Sequence, residues 1–479
     1  MTQPLPSMRW PNRVALAWAV LVAVALFALF PETRFDDPFI TYRYAANLAH
    51  GVGFVYNPGE RILSTTAPLY ALVLTPAAAV GLSLPVISNG LSCLSLGAGA
   101  LALWHMGRVA AQRVAGAVAA LLFPLSPFLV PTLGAETASF IALTLWGLVA
   151  AWSGRPILAG LLLVSATLTR GDAALGLVLA GFVLAMRWGW RSALTFGTIC
   201  GFVLTPFLLM SWWYYGTPLP ATLGAKRSQA QIPGSRSYLQ GLLDYLRGMV
   251  VQPLFWPTVG LTPLGLVAAV RDNGPLALTV AWGLLHALAY SLIGVTAYFW
   301  YYAPAFVGLL AAVALGAELL ARWLTRRAGL RAGRSVVATL IFVVLIGHLG
   351  AVRDIFVAPQ PRMALYHQVG LWLQAHTPVG SQVGTLEIGV IGFYGERPMV
   401  DFAGLIQPEV SRVLAGGGDY AAAARYAIAH YRPTYLVNQE TTMALLSADP
   451  ALQAHCTEAV ALPDPRYATP LVIARCVWP

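Results

Sequence analysis

Hydrophobic and polar positions divide this chain into two regimes. Up to residue 352 it is built from apolar runs, each roughly 14 to 23 residues long against the ~20 that cross a bilayer. The runs occupy 13–30, 85–107, 113–130, 137–153, 156–169, 173–187, 193–213, 258–270, 275–294, 303–321 and 335–352, eleven in all. Beyond them the pattern changes. YHQVGLWLQAH, QVGTLEIGVIGFYG, RPMVDFAGLI, AAAARYAIAHY and PTYLVNQE alternate helical and strand-like periodicity. The expected fold class is an all-α polytopic membrane protein of about 11 transmembrane helices over residues 1–352, with a small extracytoplasmic α/β domain over 353–479.

Composition agrees with that division. Of 479 residues, 58% are hydrophobic and only 10% are charged, which excludes an ordinary soluble globular chain. The formal charge of +10 is spread in short clusters between the runs, so it reports topology rather than nucleic-acid binding. With a cytoplasmic N-terminus, the inner connections carry Arg9 and Arg13, Arg108 and Arg113, Arg155, Arg187 and Arg191, Arg271, and a group from Arg322 to Arg334. Basic inner connections predict an N-in, C-out protein of the cell membrane. The first run has no small-residue cleavage site and reads as an anchor that is retained.

Three segments need separate treatment. Residues 67–82 are apolar enough to cross, yet a span there would reverse every later connection, so they read as a helix in the outer interface within a first outer loop of 31–84. Runs 156–169 and 173–187 are short and joined by TRGD, which carries Arg170 and Asp172, and they read as half-inserted helices facing a protein cavity. Cys456 and Cys476 can pair if the C-terminal end is extracytoplasmic, with two free thiols as the alternative.

The few charges concentrate at the outer level. The first loop begins FDDPFITYRYAANLAHG, with Asp36 and Asp37 at the lipid exit and Arg43 seven residues after Asp36. On a helix that spacing puts Asp36 and Arg43 on one face, ~10 Å apart, able to bracket a substrate or simply to neutralise each other. Glu136 lies at an outer helix end, and Arg170, Lys226 and Arg227 add cations there. One carboxylate can serve as general base to an acceptor hydroxyl while cations hold a leaving phosphate. The neighbouring carboxylate either raises the pKa of that base or joins it in holding a divalent cation; the sequence leaves both open, and no other cofactor is implied. His286 reads as a hydrogen-bonded core residue and His105 as a helix-boundary residue. The aromatic clusters at 211–216 and 298–304 are interfacial anchors or a sugar-stacking wall. GGGD at 416–419 reads as a helix start capped by Asp419.

FDDPFITYRYAANLAHGVGFVYNPGERI followed by STTAPLY resembles the first outer loop of the GT-C superfamily, membrane glycosyltransferases that use polyprenyl-phosphate sugars. GAET at 134–137, LTRGD at 168–172, YYGTPLPATLGAK at 214–226, YFWYYAP at 298–304 and VGTLEIGVIGFYGERPMVDFAGLI at 383–406 follow in matching order. The resemblance is to bacterial relatives of the mycobacterial terminal arabinofuranosyltransferase, and more distantly to protein O-mannosyltransferases and the aminoarabinose transferase group. It implies inverting transfer, with Asp36 as base and Asp37 beside it. It further implies Arg43, Arg170 and Lys226 on the donor phosphate, and Glu136, Tyr42 and Asp172 binding or orienting the acceptor. The implied partners are a polyprenyl-phosphate-linked sugar, a glycan, lipid or protein acceptor, and the bilayer. TRGD departs from the TRPEG common among relatives, which leaves the role of Asp172 open. The competing reading is a polytopic transporter or lipid-linked sugar flippase; it fits less well because the charges sit at the outer level and no two halves of the chain match.

Overall fold

A computed structural model describes residues 10–31, 33, 35–272, 274–357, 361–438, 448–464 and 470–479. Arg9 and the final Gln439 and Glu440 of the PTYLVNQE segment lie outside the described residues. Every expected apolar run forms helix, as it must where lipid offers the backbone no hydrogen bonds.

The first part of the chain contains α1 (Trp10–Leu29), α2 (Asp37–Ala49), α3 (Pro68–Ala79), α4 (Leu84–Val109), α5 (Arg113–Leu122), α6 (Thr137–Trp152) and α7 (Pro156–Thr169). Then come α8 (Ala174–Trp188), α9 (Trp190–Tyr215), α10 (Thr222–Gln229), α11 (Tyr238–Val251), α12 (Trp256–Asp272), α13 (Pro275–Ile293) and α14 (Ala303–Val357). Proline in the first turn opens α2, α3, α4, α7 and α13, where its missing N–H leaves nothing unsatisfied.

Among the described residues, seven helical stretches are long and apolar enough to cross a membrane, and the protein is multi-pass. Three of the eleven expected runs fall short of that length. The runs at 113–130, 137–153 and 156–169 make helices of 10 to 17 residues, shorter than a straight crossing needs. The runs at 303–321 and 335–352 form two helices, as expected, which meet within α14 at a kink at Gly329, whose φ of 87° a side-chain-bearing residue rarely adopts. Helix α3 has 12 residues, ~18 Å of rise, and does not reach across a bilayer.

The membrane core is a single apolar cluster from α1, α4 to α8 and α12 to α14. Helix α9 stays at its rim with most of its surface exposed. The C-terminal part is the expected α/β unit: α15 (Pro361–His376), β1 (Val383–Thr385), α16 (Gly389–Gly395), β2 (Met399–Asp401), α17 (Pro408–Ala415), α18 (Tyr420–Tyr431), β3 (Tyr435–Asn438), α19 (Pro450–His455), β4 (Cys456–Leu462) and β5 (Leu471–Cys476). Its sheet has the order β2-β1-β3-β5-β4, with β2, β1 and β3 parallel and β5 and β4 antiparallel. Cys456 lies opposite Cys476 in the ladder and is disulfide-bonded to it. Asp419 caps α18 by accepting the Ala422 N–H at 2.7 Å, as GGGD predicts.

The two parts share a core. Phe39, Ile40, Tyr42, Tyr44 and Tyr56 of the first loop pack with Leu365, Tyr366, Val369, Ile391 and Ile473 of the α/β unit in one buried cluster. The first loop and the C-terminal domain therefore fold as one body over the helices.

Candidate active site

A cavity of about 510 Å³ opens between α2, residues 64–68, the starts of α6 and α8, the ends of α9 and α13, α10, and the aromatic pair Trp300 and Tyr301. Its lining is mainly apolar, with Leu204, Phe207 and Leu208 from α9 and Ile293 from α13. Five ionisable side chains used by the sequence argument reach it: Asp37, Glu136, Arg170, Asp172 and Lys226. Asp36, Arg43 and Tyr42 are not on its wall.

Asp37 is the first helical residue of α2, and its side chain keeps 33% of its exposure. Its Oδ2 lies 3.3 Å from Nζ of Lys226, which α10 carries at 9% side-chain exposure. Burial alone lowers an ammonium pKa, but the Asp37 carboxylate together with Tyr298 and Tyr301 outweighs this and holds Lys226 raised and charged. The same Nζ is 4.1 Å from the centroid of the Tyr298 ring and 5.5 Å from that of Trp300, so the cation is cupped by aromatic faces. The cluster at 298–304 thus forms wall, whereas Trp212 and Trp213 of the cluster at 211–216 are 64% and 81% exposed.

Arg170 is bracketed by two acids. Its Nη1 donates to Oε1 of Glu136 at 3.0 Å, and its Nε donates to Asp172 at 3.1 Å. Asp172 also accepts from Tyr290 OH at 3.0 Å and meets Nε2 of His286 at 3.1 Å. His286 is the hydrogen-bonded core residue expected, and its Nδ1 is buried with no partner among the described residues. Aspartate in TRGD is short, yet the fold supplies it with three donors, two of them from α13, 114 and 118 residues away in sequence.

Asp36 and Arg43 do share a face, but that face meets the C-terminal domain. The Asp36 carboxylate accepts the N–H of Gly389 on Oδ2 and of Val390 on Oδ1, both at 2.7 Å. Burial raises its pKa to about 6, the two amides oppose this, and the neighbouring Asp37 adds to it. Arg43 donates through Nη1 to Gly392 O and through Nη2 to Arg397 O, each at 2.6 Å, and through Nε to Tyr56 O at 3.0 Å. Their ~10 Å spacing matches a seven-residue helix at 1.5 Å per residue, so the pair brackets α16 rather than a ligand. Tyr42 likewise is structural: its hydroxyl donates to Gly134 O and pairs with Thr33, tying α2 to the GAET turn.

Sequence reasoning missed Gly389, Val390, Tyr290 and Leu405, the last a cavity residue contributed by the C-terminal domain. Only the DFAGLI string hinted at Leu405, since Asp401 accepts N–H groups of Ala403 and Leu405 and so shapes that loop. A divalent cation held by the acid pair does not fit. Both oxygens of Asp36 are occupied by amides, and among the described residues no group of three or more His, Cys, Asp or Glu is arranged for a metal.

Solved membrane glycosyltransferases share this architecture. ArnT from Cupriavidus metallidurans bound to undecaprenyl phosphate matches with a TM-score of 0.62 over 98% of both chains, at 16% identity. The Archaeoglobus fulgidus oligosaccharyltransferase tethered to an acceptor peptide matches at 0.62 over 97% of this chain and 74% of that one, at 12% identity. The fold is that of the GT-C glycosyltransferases. In sequence, this chain is 28% identical over 292 residues to the terminal beta-(1->2)-arabinofuranosyltransferase of Mycobacterium tuberculosis, covering 55% of this chain and 46% of that one. It thus aligns with about half the length of that relative. Residues 355–471 match a family described as a domain of unknown function, DUF8728.

Proposed function

We propose that this GT-C chain is an inverting glycosyltransferase that moves a sugar from a polyprenyl-phosphate donor to an acceptor on the extracytoplasmic side. The observation that carries the reading is the composition of one cavity: a partly exposed carboxylate, Asp37, paired with the buried Lys226, and a second buried cation, Arg170, held by Glu136 and Asp172, on a mainly apolar lining. The acceptor hydroxyl attacks the anomeric carbon as the bond from that carbon to the phosphate oxygen breaks. Asp37 takes the hydroxyl proton, and the polyprenyl phosphate leaves with the bonding pair. Lys226 and Arg170 face the charge that develops on the leaving group.

Asp37, not Asp36, is the base in this reading, because each Asp36 oxygen is engaged by a backbone amide of the C-terminal domain and the side chain lies off the wall. An incoming phosphate competes with Asp37 for Lys226, which loosens their 3.3 Å pair just when the carboxylate is needed. Glu136 and Asp172 orient Arg170 rather than the acceptor. Trp300 and Tyr301 offer faces for the sugar, and the α9 side chains offer an apolar flank for the prenyl chain.

The test is release of free polyprenyl phosphate from a panel of polyprenyl-phosphate sugars, by wild type and Asp37→Asn in the same lipid nanodiscs with membrane extract as acceptor. A pentofuranosyl donor heads the panel because the mycobacterial relative is named for arabinofuranose. Release by wild type alone supports the reading. Equal release by Asp37→Asn removes Asp37 as base, and no release from any donor turns the reading towards transport.

A further inference from the structure

The C-terminal domain, of which residues 355–471 match a family of unknown function, touches Asp36 of the acid pair through backbone amides. Asp36 stands at the N-cap of α2, where an aspartate ordinarily accepts an amide of its own helix. Here it makes no such bond. It caps α16 of the other domain instead, satisfying amides that a helix start leaves without intrahelical partners. Neighbouring bonds register the same two pieces: Tyr56 OH donates to Ile388 O at 2.5 Å, and Asn57 bonds both the N–H and the carbonyl of Met399, at 2.9 and 2.8 Å. Residue 389 has no space for a side chain, because a Cβ there would collide with the carbonyl and carboxylate of Asp36. Glycine is what lets the two amides come this close.

We propose that Gly389 and Val390 are positioning residues for the transfer reaction: their amides lock Asp36 and so aim Asp37, one residue on, into the cavity. The proposal rests on the reading of Asp37 as base. It gives the C-terminal domain a part in the chemistry without placing any of its side chains on the reacting atoms. The direction of the Asp37 side chain follows from the orientation of the first turn of α2, and that turn is held from outside by α16.

The experiment compares wild type, Gly389→Ala, Asp36→Asn and the double variant, each as the full chain in nanodiscs. The kcat for polyprenyl phosphate release should fall on the order of 10²-fold in each single variant, the cost of misplacing a reacting group by about 1 Å. Donor KM should not change, since Lys226 and Arg170 are untouched. The double variant should be no slower than the slower single variant, because both changes break one contact. Hydrogen exchange of the peptide carrying residues 388–392 should quicken in Asp36→Asn, an isosteric change that stands in if Gly389→Ala fails to fold. Multiplying effects, a rise in KM with kcat preserved, or unchanged exchange would each overturn the proposal. Quicker exchange without loss of kcat would overturn the positioning role and leave the transferase reading intact. No release by wild type would overturn both.

Discussion

Two acids on the same cavity wall should respond in opposite ways to the same change. Asp172 is 4% exposed in its side chain, and Arg170, its partner at 3.1 Å, is 8% exposed. Asp172→Asn leaves the guanidinium with Glu136 alone, and removing one partner of a buried pair costs about 3–5 kcal/mol. Retention of the Glu136 bond at 3.0 Å points to the lower part of that range. Asp37 is 33% exposed and the Lys226 ammonium keeps the Tyr298 and Trp300 ring faces, so the loss on Asp37→Asn should be smaller, about 1–3 kcal/mol for a buried donor left without its acceptor. Turnover ranks them the other way: losing a general base slows the reaction ~10²- to 10⁴-fold. Thermal unfolding of both variants in nanodiscs, followed by tryptophan fluorescence, gives the stability half, and polyprenyl phosphate release gives the other. Asp172→Asn melting with the wild type, or Asp37→Asn melting below Asp172→Asn, would refute the assignment of one acid to structure and the other to chemistry.

Lys226→Met should raise donor KM by ~10- to 100-fold, the range expected for a lost charge-assisted bond, measured by donor titration. Burial raises Asp36 to about 6 and Asp401 to about 7, both above their ordinary 3.8. Their stabilising contribution is therefore complete below about 3.8 and lost as pH rises through about 6 and 7, so the melting temperature should fall from acid to neutral buffer, less steeply in Asp401→Asn. Activity should move the opposite way, with kcat declining as pH falls through about 6, because a protonated Asp36 can no longer accept both amides. Reducing the Cys456–Cys476 bond, which closes a 20-residue separation, should destabilise the C-terminal domain by ~3 kcal/mol, seen as faster limited proteolysis of the sheet.

What the sequence revealed follows from what periodicity and charge can encode. Apolar runs announce helices because lipid allows the backbone no other solution, and Lys226, Arg170, Glu136 and Asp37 stood out because isolated charges at that depth are costly. The same logic identified the α/β domain and the cap at Asp419. It also identified the face shared by Asp36 and Arg43. Periodicity cannot say what a face meets, and the partners of that pair lie about 350 residues away. His286 was likewise recognisable as a bonded core histidine, but its bond to Asp172 spans 114 residues and leaves no local trace. The span count is where apolar length says least: the helix at 137–152 is apolar enough to cross yet has only 16 residues, while the two runs on either side of Gly329 form two helices as expected.

Under the proposed transfer, the geometry of α2 against α16 gives a reason for a domain that adds so little to the cavity itself. A helix presents unpaired N–H groups at one end and unpaired carbonyls at the other, with a dipole that favours an anion at the first and a cation at the second. Asp36 meets the N–H end of α16, and Arg43 meets Gly392 O near the other end, so the charges on α2 are set in the order the dipole asks for. Reversing either charge would unpair both a buried ion and the helix end it serves. Orientation of the acid pair thus depends on a segment made some 350 residues later, and until that segment docks the first turn of α2 lacks the two amides that hold Asp36. A chain truncated before α16 should insert its apolar helices and still lack an aimed Asp37.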